Sequence, residues 1–198
     1  MNKPSRSRSL LLGGIAGTLA IGSVATPAQA AIVAVIPDIV MFLPADVSLN
    51  QTESNVDIIG FDERQCFDPV ADLTMDNGTI PGQAQVRISS HLLHADPVNG
   101  NVVLDGRAFF DGRILGVISD STLLDDSDPI CRNPAVTYPV AGNETLRGLE
   151  PGQAQDRYRI IAGGAGIEVQ MDVSGASDQI RVITCCPGQQ CGDVVIQD

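Results

Sequence analysis

The chain has almost no lysine: among 198 residues Lys3 stands alone, against 24 aspartates and glutamates. Tryptophan is absent, Tyr138 and Tyr158 are the only tyrosines, and His91 and His94 the only histidines. Each scarcity excludes something. A surface this poor in cations cannot neutralise phosphates, so nucleic-acid partners are excluded. Anionic lipid surfaces are disfavoured for the same reason. Without indole rings there is no flat stacking platform for a long polysaccharide. Several motifs are also missing. There is no Gly-x-Ser-x-Gly nucleophile elbow, no twelve-residue EF-hand loop and no Gly-Asp-rich nonapeptide repeat.

Long apolar runs are scarce too, and the one that exists is informative. Residues 10–24 are apolar and Gly-rich, follow Lys3, Arg6 and Arg8, and precede Ala28-Gln29-Ala30. A basic start, a short apolar stretch and a small-x-small tripeptide make a secretory signal over residues 1–30, cleaved after Ala30. Ser7 splits the two arginines, which argues against twin-arginine export, and no cysteine follows the cleavage point to take a lipid. Cleavage leaves 168 residues (198 − 30), about one domain and enough to bury a core. No later stretch is a membrane span, because Pro37 and Asp38 interrupt the best one, 31–43. The expected location is periplasmic or secreted, without membrane insertion after cleavage. Cleavage also removes all lysine, leaving nine arginines (12 cations less three) against 24 acids, a net charge of −15. Such acidity suits solubility in a salty or divalent-rich medium.

Five cysteines remain, and in an exported chain the default is disulfides with one thiol left over. Neighbours Cys185 and Cys186 are poorly placed to bond each other. A turn at Pro187-Gly188 returns Cys191 to Cys185 or Cys186, and Cys66 with Cys131 is then the long-range pair. The leading bonded set is Cys66, Cys131, Cys186 and Cys191. Cys-Cys-x4-Cys lacks the usual zinc-ligand spacing.

Apolar, β-branched segments punctuated by turn residues predict strands over 32–36, 39–43, 55–61, 70–75, 84–95, 102–104, 107–110, 113–119, 158–162, 167–173 and 179–184. Asp105-Gly106 reads as a turn, and 163–166 as a hairpin tip. The best helix is 121–126, capped by Asp120 or Ser121. The expected fold is all-β: one β-sandwich or jelly-roll-like domain of about nine short strands, with one short helix. Residues 31–54 read as a lead-in, 55–184 as the sandwich, and 185–198 as a cysteine-containing tail. A local repeat, Pro-Gly-Gln-Ala-Gln-x-Arg, begins at Pro81 and again at Pro151.

Six fragments in order carry a resemblance: Phe61-Asp62-Glu63, Ser90-His91, Asp111 to Ile118 (DGRILGVI), Val136-Thr137-Tyr138-Pro139, Arg147-Gly148-Leu149-Glu150 and Arg181-Val182-Ile183-Thr184. Together they resemble an uncharacterised exported bacterial domain often found in proteins with PEP-CTERM-type sorting signals. The resemblance implies a compact β-sandwich at or outside the cell surface and implies no activity. The sequence departs from it at the end, which carries a cysteine cluster where a sorting tail would stand.

No catalytic set stands out. Asp62 with Glu63 is the first candidate pair for calcium, which needs several oxygen ligands at once. Asp and Asn in the loops at 96–101 and 125–128 are also accounted for by turn chemistry. His91, Tyr138 and Tyr158 are the candidate ligand contacts. On a strand, residues three apart face opposite ways, so His91 and His94 should not share a metal. The leading expectation is a non-catalytic envelope or matrix protein acting through matrix or protein contacts, with a glycan or an extracellular protein as partner. The alternatives are a carbohydrate-binding module, with calcium assisting, and a hydrolase using carboxylates or His91.

Overall fold

A computed structural model describes residues 30–98, 101–143, 147–149, 156–174, 176–189 and 191. All of the 1–30 signal but Ala30, the loop at Asn99-Gly100, the first five residues of the second repeat (151–155) and the tail beyond 191 lie outside the described residues. Among the described residues eleven strands form in chain order: β1 Ile32–Ile36, β2 Ile39–Met41, β3 Ile58–Phe67, β4 Leu73–Met75, β5 Gly78–Ile80, β6 Ile88–Ala95, β7 Asn101–Phe110, β8 Ile114–Ile118, then β9 Arg157–Ile161, β10 Gly166–Ser174 and β11 Asp178–Cys185. The helix α1, Ser121–Cys131, separates β8 from β9.

The strands sort into two sheets and a hairpin. The first sheet runs β1-β7-β10-β9 and the second β2-β3-β6-β11-β8, while β4 and β5 pair alone. Two apolar clusters fix three layers. Leu104, Ala108, Phe110, Ile167, Val169 and Met171 of the first sheet meet Ile58, Leu93, Ile180 and Val182 of the second. On the other face of the second sheet, Phe61, Leu92, Leu115 and Ile183 pack against Leu124 and Ile130 of α1 and Leu73, Met75 and Ile80 of the hairpin. The second sheet is thus covered on both faces, and every residue of β6, β8 and β11 is buried. The first sheet has one wet face and alternates, as β7 does.

The all-β sandwich is the observed fold, with three differences from the sequence reading. Residues 31–54 are part of the sandwich: β1 pairs antiparallel with β7 and β2 parallel with β3. Asp105-Gly106 is no turn but the middle of one ten-residue strand, β7. Glycine is needed there because a Cβ would overlap Ile39 of β2. The helix runs past 126 to Cys131. Asp120 caps it by accepting from the backbone N–H of Thr122 and Leu123. Pro129 sits in its last turn.

The cysteine pairing is also corrected. Cys66 bonds Cys186, Cys185 bonds Cys191, and Cys131 is the free, buried thiol. The expected Cys66–Cys131 bridge does not form. Cys66 lies near the end of β3 and Cys186 just after β11, on either side of β6. Ser89 of β6 accepts from the Cys66 N–H, and Arg87 O from the Cys186 N–H. The two Cα atoms come to 5.5 Å, a bridging distance. Cys131 points instead into the apolar layer under α1, where burial pushes its thiol up to about 12.

Candidate functional site

Polar side chains inside a sandwich must find partners, because a buried group without one costs stability. This chain buries an unusual set: Glu63, Ser90, His91, His94, Asp128, Arg147, Gln179, Arg181 and Thr184. Strand alternation sorts those on β3, β6 and β11 onto the two faces of the second sheet, and Asp128 of α1 and Arg147 join them from outside it.

The inner face carries Asp62, His91 and Thr184. Asp62 lies opposite His91 in the β3–β6 register, and Val182, two residues before Thr184, lies opposite it on β11. His91 Nδ1 is 2.6 Å from Asp62 Oδ1, and Nε2 is 2.9 Å from Thr184 Oγ1. Asp62 Oδ1 also accepts from the Ile32 N–H at 3.1 Å. A carboxylate only accepts, so Nδ1 carries the hydrogen, and Nε2 pairs with the Thr184 hydroxyl. The Phe110 ring of the first sheet packs on the imidazole, centroids 4.8 Å apart.

Carboxylate, imidazole and hydroxyl stand in the order of a nucleophile relay. Exposure runs the wrong way for one. Thr184 and His91 are fully buried, and the end that meets solvent is Asp62, with 31% of its side chain exposed. A substrate would need to reach the hydroxyl, which lies between two packed sheets. The chain of bonds instead ties β3, β6 and β11 together and holds β1 through Ile32.

The outer face carries an ionic cluster. Arg181 Nε and Nη2 donate to the two Glu63 oxygens at 2.7 Å each. Nη2 also reaches Asp128 Oδ1 at 2.8 Å, and Nη1 reaches Leu124 O at 3.2 Å and the Ser127 hydroxyl. All five guanidinium hydrogens are therefore used. Burial by itself would lower the Arg181 pKa. The Glu63 and Asp128 charges outweigh burial and hold it well above the usual value. Arg147 sits beside it, bonding Asp125 and Asp128 at 2.8 Å each and Gln179 Oε1 at 2.8 Å. Gln179 passes the network on, donating to Val47 O at 2.8 Å and His94 Nδ1 at 3.1 Å. The cluster fastens α1 to the sheet.

His94 has a measurable consequence. Burial first, then the Arg147 charge, lowers its pKa from the usual 6.5 to about 3. The folded ring stays neutral while the unfolded ring protonates below about 6.5. The unfolded state therefore binds the extra proton as pH falls, and stability drops through that window. Linkage predicts a loss of about 2.5 kcal/mol between pH 7 and pH 4.5. Urea titrations at both pH values should show it, and His94→Gln should remove that part of the slope. An unchanged slope in the variant would refute the assignment.

The sequence-derived candidates disperse. Asp62 and Glu63 are neighbours on a strand and face opposite layers, so they do not share a cation. Each carboxylate is already committed, Asp62 to His91 and Glu63 to Arg181. Among the described residues no group of three or more His, Cys, Asp or Glu is placed to hold a metal ion. The two histidines do face opposite ways. Tyr138 is buried and its hydroxyl accepts from the Asn133 N–H at 3.0 Å; burial, then the Glu63 charge, pushes its pKa up. Tyr158 donates to Asp76 at 2.9 Å and lines a surface cleft.

That cleft, about 330 Å3, lies on the wet face of the first sheet, between Asp105, Arg157, Arg159, Glu168 and Gln170. Register explains it. Arg107, Glu168 and Arg159 form one cross-strand row and Asp105, Gln170 and Arg157 the next. Glu168 bonds Arg107 at 2.7 Å and Arg159 at 2.9 Å, and the Arg107 bond, foremost, lowers its pKa. Sequence reasoning passed over this face and both buried arginines. The available signal was Arg181 itself, an arginine between Ile180 and Val182 in an apolar strand, which demands a buried carboxylate.

No family model matches the chain, and no curated protein or solved structure is significantly similar to it. Four of the six fragments quoted above supply side chains to these two groups, Asp62, His91 and Thr184 on the inner face and Glu63, Arg147 and Arg181 on the outer.

Proposed function

We propose that this is an exported, non-catalytic β-sandwich of the bacterial envelope or extracellular matrix, belonging with the sorting-signal-associated domains it resembles and acting through contact with another protein. The observation that carries this reading is an apolar edge. Strands β1 and β2 are each one edge of their sheets, the other edges being β9 and β8, and β1 and β2 lie side by side. Val33 and Ile36 of the first, with Met41, Phe42 and Leu43 at the second, are 41–59% exposed. Clustered exposed apolar side chains beside unpaired strand edges mark a surface for another chain. Two disulfides suit an oxidising compartment. Among the described residues no helix is long and apolar enough to cross a membrane.

The test is co-sedimentation of the exported protein with isolated envelope and matrix fractions. Phe42→Asp with Leu43→Asp should weaken binding at least tenfold, and Asp62→Asn should leave it unchanged. Turnover on an ester, amide or glycoside panel that vanishes in His91→Gln would overturn the reading.

One observation favours a second reading, carbohydrate binding. The cleft over β9 and β10 offers guanidinium, carboxylate and amide groups in two ordered rows, a donor and acceptor set suited to a small sugar. Glycan-array binding abolished by Arg157→Ala and Gln170→Ala would favour it, and loss in EDTA would add calcium.

A further inference from the structure

The start of β1 is held by carboxylates. The Ala31 backbone nitrogen donates to Asp111 Oδ1 at 2.7 Å, and the Asp111 N–H returns a bond to Ala31 O at 3.2 Å. The next residue repeats the pattern, Ile32 donating to Asp62. Asp111 follows Phe110, which pairs with Ile32 in the sheet register. An amide N–H uses little of what a carboxylate offers. A neighbouring backbone carbonyl would satisfy it, whereas an ionised carboxylate suits a cation.

The signal read from the sequence ends at Ala30, so the nitrogen facing Asp111 is the one that cleavage would free. Hydrolysis of the Ala30–Ala31 amide adds one water, leaving a carboxylate on Ala30 and an ammonium on Ala31 with no net gain or loss of protons. Ala30 is fully buried in the intact chain, so its departure opens room beside that nitrogen. We infer that Asp111 is a binding site for a primary ammonium, and that its ligand is the chain's own α-amino group after signal removal. An ion pair then replaces an amide hydrogen bond, and the edge strand is latched only in the mature protein. The inference rests on the export reading and on cleavage after Ala30.

The composition makes the test specific. With Lys3 removed, the Ala31 ammonium is the only primary amine in the mature chain. The full precursor should be expressed with its leader, the exported product weighed by mass spectrometry, and its amine acylated with an activated ester at pH 8. The mass should start the chain at Ala31, and acylation should run at least tenfold slower than in a peptide of the same first residues. Asp111→Asn, which keeps size and hydrogen bonding but not charge, should recover most of that rate while circular dichroism stays native. If that variant unfolds, the wild-type rate in native buffer against urea still decides, because protection must vanish on unfolding. A different first residue would overturn both the inference and the cleavage site. An Ala31 amine that reacts like the free peptide, or is equally slow in the Asp111→Asn protein, would overturn the latch alone.

Discussion

Replacing Arg181 by Met should destabilise the protein by about 3–5 kcal/mol, the usual cost of removing one partner from a buried ion pair. The cost comes from what stays behind. Glu63 is left buried with no hydrogen-bond donor from the guanidinium, and Asp128 loses one of its two cations. Leu124 O and the Ser127 hydroxyl lose their donor as well. Glu63→Met should cost a comparable amount, since it strands the cation instead. The double variant should cost much less than the sum, because neither charge is then orphaned. Urea unfolding of the four proteins gives the coupling directly, and additivity within about 0.5 kcal/mol would refute it. Arg107→Ala is the control: its partner Glu168 is solvated, and screening leaves such surface pairs little to contribute. Against a total stability of about 5–15 kcal/mol, losing Arg181 leaves the domain near its threshold.

The sandwich itself was legible in the sequence because its signals are local. Proline ends β1, Asp76-Asn77-Gly78 marks the β4–β5 hairpin, and the glycines after Ile161 turn β9 into β10. What the sequence concealed was decided across layers. Gly106 resembles a turn residue until β2 is known to press on it. Asp62 and Glu63 look like a pair because they are adjacent, and only the sheet assigns them to different faces. Pro129 ordinarily stops a helix, yet α1 runs through it to Cys131. In the fold, Arg147 and Arg181 hold Asp125 and Asp128 in the turns before it. The buried framework was the least visible part. Its members run from Asp62 to Thr184, and each arginine stands at least 19 residues from its carboxylates.

The same distance in sequence sets the second large effect. Cys66–Cys186 closes a loop of 120 residues, whereas Cys185–Cys191 closes six. Chain entropy in the unfolded state makes the long bridge worth about 5 kcal/mol and the short one about 2 kcal/mol. Cys66→Ala with Cys186→Ala should therefore rival Arg181→Met, while Cys185→Ala with Cys191→Ala should cost less than half as much. Equal costs would mean that the bridges stabilise by local packing instead. The connectivity itself is checked by non-reducing peptide mapping, which should link the Cys66 peptide to the Cys186 segment and leave Cys131 unlinked. Cys131 supplies an internal control. A thiol pushed up to about 12 and sealed under α1 is neither ionised nor reachable at pH 8. Iodoacetamide should modify no residue of the native protein and one per chain in urea. Rapid native labelling would show that α1 lifts from the sheet, and with it the layer that the Glu63–Arg181–Asp128 cluster holds down.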